Sequence, residues 1–196
     1  MRVIGGEKRG RRLLAPTGQA TRPTADRVRE AAFSMLESQG VLAGATVWDL
    51  FAGSGALGIE ALSRGASQAT FVDDARGAVR AARANLARLG YEDERARVVC
   101  ADVLKWVHGL EGEPCAPAPG AGGVDLVLAD PPYAWGSWPA LLDGVAPLHP
   151  LVLAETGKEL ELPPKWRAVK VKRYGSTLVS LARLYDPEAP AEGHRP

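Results

Sequence analysis

Apolar and polar residues alternate along this chain in two different rhythms, and the change of rhythm divides it. Residues 2–14 read VIGG, a basic turn and RLL, which predicts a small hairpin or a pair of short strands. Residues 15–23, APTGQATRP, form a connector. Thr24 then stands where it can cap a helix, TADRVREAAFSML. Val28, Ala31, Met35 and Leu36 recur there at helical spacing, and the arginines between them are expected on the solvent side. From residue 45 the order becomes strand, loop, helix, repeated. ATVWDLF, QATFVD, ARVVC, VDLVLA and LVLAE read as strands. ALGIEALSRG and ARGAVRAARANLARLG read as helices ended by Gly65 and Gly90, and DVLKWVHGL and SWPALLDGV as shorter ones. VDLVLA is almost continuously apolar, the mark of a central parallel strand buried on both faces. WRAVKVKRYG and TLVSLARLY flank a turn and predict an antiparallel pair at the sheet edge. The expected fold is α/β, a sheet with helices on both faces. Residues 1–23 form a basic N-terminal hairpin and connector, 24–185 the main domain, and 186–196 a polar tail expected to be disordered. Residues 111–123, rich in Pro, Gly and Ala, read as a loop.

Composition and charge narrow the classes further. The chain of 196 residues, 46% hydrophobic, suits one globular domain. Its net charge is only +1, but the charge is unevenly spread. Arg2, Lys8, Arg9, Arg11 and Arg12 crowd the first twelve residues against Glu7 alone, and Arg22, Arg27 and Arg29 follow. Such asymmetry points to a polyanionic partner, with a solubilising arm as the alternative. Cys100 and Cys115 form no C-x-x-C pair, and the three histidines no H-E-x-x-H, so neither zinc nor a disulfide framework is expected. Cys100 is expected in the core. No apolar run stands behind the N-terminal arginines as in a signal peptide, and none approaches a membrane span. A soluble, cytoplasmic protein is expected, and nothing demands more than a monomer.

The candidate chemistry begins at DLFAGSGALG, residues 49–58, where Gly53, Gly55 and Gly58 have G-x-G-x-x-G spacing between a strand and a helix. Gly53 and Gly55 allow a sharp turn and close approach of a ligand. Asp73, twenty residues after Gly53 at the end of the next strand, can accept hydrogen bonds from two ribose hydroxyls. The unit therefore binds an adenosine-type ligand. A dinucleotide would place its pyrophosphate at this helix N-terminus. Asp49, at the lip, opposes that and suits a cofactor with a positive end; S-adenosylmethionine carries an ammonium and a sulfonium. Asp102, after the third strand, can accept from an adenine amino group and can also cap the helix that follows it.

ADPPY, residues 129–133, follows the central strand, at the end where open α/β sheets place ligands. Asp130 and the Pro131 carbonyl are two acceptors, held without ordering cost because Pro131 and Pro132 fix the backbone. Tyr133 offers a flat face for a base. The set fits an exocyclic amine on a nucleobase, whose nitrogen two acceptors would draw toward a tetrahedral form. With these pieces the chain resembles the bacterial 16S rRNA guanine-N2 methyltransferases over nearly its whole length. The matching segments are RVIGGEKRGRRL, RPTADRVREAAFSML, DLFAGSGALGIEALSRGA, FVDDAR, ADPPY and KRYGSTLVSLARLY.

That resemblance implies a Rossmann-like class I methyltransferase fold, a mixed sheet of seven strands with the last one antiparallel. It implies S-adenosylmethionine as cofactor, with Asp49 and Phe51, Ala52, Gly53, Ser54 and Gly55 on its methionine side, Asp73 on the ribose and Asp102 on the adenine. Asp130, Pro131, Pro132 and Tyr133 would position the guanine amine. The family has a Glu where Asp73 stands, so FVDDAR leaves Asp73 and Asp74 as alternatives for the ribose. The base must be extruded to react, and Lys8, Arg9, Arg11, Arg12, Arg22 and Arg27 are candidates to grip the RNA backbone, within an assembling small ribosomal subunit. The rival readings are a DNA adenine-N6 methyltransferase, a nicotinamide-dependent oxidoreductase and a non-catalytic RNA-binding module. The first lacks room for a recognition domain, the second leaves ADPPY unexplained, and the third has no need of an intact ADPPY.

Overall fold

A computed structural model describes residues 1–15, 23–91, 93–109 and 123–185. Arg22, Cys115, most of the 111–123 loop and the tail from 186 lie outside the described residues. Helix α1 (Pro23–Ser38) starts on a proline, whose fixed φ and missing N–H suit a first helical turn. Thr24 therefore lies inside the first turn rather than ahead of it. The alternation then follows: β1 (Thr46–Leu50), α2 (Ala56–Ser63), β2 (Gln68–Asp73), α3 (Arg76–Leu89), β3 (Ala96–Cys100), α4 (Val103–Val107), β4 (Leu126–Ala129), α5 (Trp138–Val145) and β5 (Leu151–Thr156). A hairpin of β6 (Trp166–Tyr174) and β7 (Thr177–Leu184) ends the sheet.

The seven strands lie in the order β3-β2-β1-β4-β5-β7-β6. The first five are parallel, and β7 inserts antiparallel between β5 and β6. This is the sheet that the resemblance implied, and β4 is buried along its whole length, as its apolar run requires. One face packs under α1, α2 and α3, with Phe33, Leu36, Ile59, Leu62 and Leu86 against Leu126, Leu128 and Leu153. The other packs under α4 and α5, with Trp106, Trp138, Leu141 and Leu142 against Trp48, Val127 and Ala154.

The N-terminal segment is less regular than a hairpin of two strands. A single antiparallel bridge joins Arg2 and Arg12, flanked by Val3 N–H to the Arg11 carbonyl (2.9 Å) and Leu13 N–H to the Met1 carbonyl (3.1 Å). What fixes it is α2. The buried Glu60 accepts from the N–H groups of Ile4 (2.8 Å) and Gly5 (2.7 Å), and Ser63 accepts from Lys8 N–H (2.9 Å). At its other end, Asn85 of α3 exchanges two hydrogen bonds with the Leu14 backbone and donates to the Ser54 carbonyl.

Two expectations are corrected. Arg29 is buried, not on a solvent face: the N-terminal segment covers it, and it donates to the Arg2 carbonyl (2.6 Å) and to Asp26 (2.9 Å). Cys100 is exposed, not core. It ends β3, the outermost strand, which is incompletely covered, and its Sγ lies 3.7 Å from the Asp74 carbonyl. Among the described residues no helix is long and apolar enough to cross a membrane.

Candidate active site

The site lies at the carboxyl ends of β1, β2, β4 and β5, where the sheet hands each strand over to a loop. The chain leaves β1 through Phe51, at φ 60, a left-handed backbone that is rare for a bulky side chain. Gly53 (φ 56) and Gly55 (φ 79) complete the turn into α2. Backbone bonds close it, from Ala52 N–H to the Val72 carbonyl (3.0 Å) and from Gly55 N–H to the Ala52 carbonyl (2.7 Å). Gly58, the third glycine, serves packing: a Cβ there would stand 2.4 Å from Phe71 Cε1 and 3.0 Å from Asp49 Oδ2.

Asp73, rather than Asp74, faces this turn. Its Oδ2 accepts from Gly53 N–H (2.8 Å) and its Oδ1 from Ala75 N–H (2.9 Å). Asp102 stands ahead of α4 and caps it through Lys105 N–H (2.9 Å), the structural half of its expected double role. Asp49 is buried with its Oδ2 on Gly58 N–H (2.8 Å). Burial pushes its carboxyl well above the usual carboxylate range. The Gly58 hydrogen bond opposes that shift, and the charges of Asp130 and Asp73 add to it.

Strand pleating sends alternate side chains to opposite faces. Asp49, Asp130 and Glu155 follow Val47, Leu128 and Leu153 by two residues, and these three belong to the α1–α3 face. Asp130 and Glu155 sit on adjacent strands, one residue past the Ala129–Ala154 pair. The Asp130 carboxyl is reachable from solvent but stands in a recess of protein atoms, and that crowding raises it to about 6. Glu155 is half-buried and raised to about 8, first by burial, then by Asp130, with Arg29 opposing and Asp49 adding. Among the described residues no group of three such side chains is arranged to hold a metal ion.

The ADPPY loop leans on neighbours that its sequence does not show. Tyr133 is 62% exposed, yet its hydroxyl is 3.0 Å from Thr177 Oγ1 and its ring edge packs on Gly157. Trp135 stacks edge-to-face on Phe51 (5.0 Å) and on Trp138 (5.2 Å), so an aromatic ladder joins the glycine turn to ADPPY. A pocket beside ADPPY is lined by Pro131, Pro132, Tyr133, Trp135, Trp138 and Glu155. Trp135, Thr177 and Glu155 are thus site residues that sequence reasoning missed. A W-x-x-W spacing just after ADPPY was the only signal for the first, and Glu155 reads simply as a strand end.

The basic residues are spread over the N-terminal segment and α1. Arg9, Arg11 and Arg12 are exposed on the N-terminal segment. Lys8 is half-buried, its Nζ 5.3 Å from the Tyr91 ring centroid, and its backbone is tied to Ser63 at the far end of α2. An eight-residue helix puts the Lys8–Arg9 turn roughly 12 Å down the sheet from the glycine turn. Arg27 is exposed on the second turn of α1.

The chain matches the family described as conserved hypothetical protein 95 over residues 1–183. It is 39% identical over 168 residues to YlbH of Bacillus subtilis, spanning 83% of this chain and 86% of that one. It is 35% identical over 200 residues to ribosomal RNA small subunit methyltransferase D of Escherichia coli, spanning 98% of this chain and 92% of the relative. The solved structure of yhhF from Escherichia coli superposes with a TM-score of 0.75 at 32% identity, covering 94% of this chain and 97% of that one. With its seven-stranded sheet and its site at the carboxyl edge, the chain belongs to the conserved hypothetical protein 95 family of methyltransferases.

Proposed function

We propose that the chain is an S-adenosylmethionine-dependent methyltransferase that places a methyl group on the exocyclic N2 of a guanine in 16S rRNA. A relative of nearly full-length match carries the name ribosomal RNA small subunit methyltransferase D, which supports the RNA and the subunit. The observation that carries the chemistry is Asp130, held by two prolines at the end of the central buried strand.

The carboxyl cluster tests the cofactor. Asp49, Asp73, Asp130 and Glu155 converge electrostatically, and burial has already lifted Asp49. An anionic pyrophosphate would add repulsion to that cluster, whereas an ammonium and a sulfonium relieve it. S-adenosylmethionine, when bound, supplies an electrophilic methyl on a cationic sulfur. Asp49 and the Phe51–Gly55 turn would hold its methionine side, Asp73 its ribose and Asp102 its adenine. The chain's own work is positioning. Asp130 and the Pro131 carbonyl accept the two N–H groups of the guanine amine and aim its lone pair. Tyr133, pinned by Thr177, carries the base. Arg9, Arg11, Arg12 and Arg27 contact phosphates around it. Asp130 is the nearest acceptor for the proton that the amine loses.

Asp130→Asn tests this reading. It keeps the shape but removes the charge and one acceptor lone-pair set. Turnover is expected to fall roughly 10²-fold or more, in the range of a lost acid–base group. Cofactor affinity, read by calorimetry, should change only a few-fold. Turnover within a factor of about three of wild type would contradict the role.

A further inference from the structure

Glu155 has no place in the reading above, and its surroundings ask for one. It lies on β5, one residue past the Ala154 that pairs with Ala129 of β4, beside Asp130, which directly follows β4, and it lines the pocket next to ADPPY. No hydrogen-bond donor reaches its carboxyl among the described residues; its interactions are the charges of Asp130, Arg29 and Asp49. A half-buried carboxyl without a donor is costly unless a ligand provides one.

The position of Asp130 says which ligand atom comes next. Because Glu155 neighbours Asp130 across the β4–β5 pairing, a base held by its amine at Asp130 can turn a ring edge toward it. In guanine the amine-bearing carbon stands between N1–H, a donor, and N3, a bare acceptor, and only the N1–H side can give a hydrogen to a carboxylate. In an adenine-like ring N1 is a bare acceptor. A carboxylate can only accept, so it welcomes the first and repels the second. We propose that Glu155 is a specificity-determining residue, accepting the N1–H of the guanine whose amine is held by Asp130. This rests on the guanine-N2 reading. In the free protein, burial and Asp130 lift the Glu155 carboxyl to about 8. The neutral acid can donate to a bare N1, so the discrimination belongs to the charged form, which an N–H donor at its oxygens favours.

The test compares two RNA substrates, with guanosine or 2,6-diaminopurine riboside at the methylated position. The analogue keeps the 2-amino group but presents N1 as an acceptor. At a pH above about 8, where Glu155 is charged, wild type should prefer guanosine by about ten- to hundred-fold in kcat/KM. Glu155→Gln, whose amide both donates and accepts, should bring that ratio down by about ten-fold or more. Equal use of both bases by wild type would overturn the proposal, and so would an equal loss on both substrates in Glu155→Gln. If wild type forms no N2-methylguanosine at all, the guanine-N2 reading itself fails, and this inference with it.

Discussion

A Cβ on Gly58 would strike the ring of Phe71, which is buried under α2 with nowhere to go. Gly58→Ala is therefore expected to destabilise the fold by about 1–3 kcal/mol, as overpacking does. Phe71→Leu in the same chain should recover part of the lost melting temperature. A Gly58→Ala protein as stable as wild type would show that the site relaxes freely. The carboxyls make a second prediction. The usual Asp and Glu values are 3.8 and 4.5, while folded Asp130 and Glu155 stand at about 6 and about 8. Between these limits the folded chain holds protons that the unfolded chain releases. Unfolding then releases protons, and the stability of the ligand-free protein falls as pH rises from about 4 to about 8. Melting temperatures across that range should show the decline, and Glu155→Gln should flatten its upper half. A melting temperature that rises with pH there would contradict the assignment.

Among elements, the β6–β7 hairpin does more than end the sheet. Its turn delivers Thr177 to the Tyr133 hydroxyl, so a strand some forty residues downstream holds the ring proposed to carry the base. A net hydrogen bond contributes about 1 kcal/mol. Thr177→Val should therefore cost about five-fold in kcat/KM, as should Tyr133→Phe, with the double variant no worse than either. Additive losses would mean that the two side chains act separately. The repeated strands and helices were legible because their apolar runs differ in period and length, and β4 announced its burial by carrying no polar residue. Asp49, the glycine turn and ADPPY were legible because each is local: a few consecutive residues define the geometry. Glu155, Trp135 and Thr177 were not, because they meet ADPPY only through strand order and loop packing. Arg29 misled for the same reason. Its helix has a polar side, but that side is covered by a segment whose Arg2 carbonyl lies 27 positions away. The basic turn at Lys8 was visible as charge, while its distance from the glycine turn came from Glu60 and Ser63 of α2.

At the scale of the molecule, the carboxyl ends of the sheet carry the acids, the glycine turn and the aromatic ladder. The N-terminal segment runs along α2 from Glu60 to Ser63, turns back to Asn85 beside the glycine turn, and leaves Arg9, Arg11 and Arg12 exposed. The reading of this architecture as an RNA guanine-N2 methyltransferase is tested most directly by its product. Labelled S-adenosylmethionine would be offered with small ribosomal subunits lacking their native methylations, naked 16S rRNA and genomic DNA, and the modified nucleosides separated by mass spectrometry. Label is expected as N2-methylguanosine in the ribosomal RNA, lost in Asp130→Ala. Label as N6-methyladenine, or in the DNA alone, would contradict that reading.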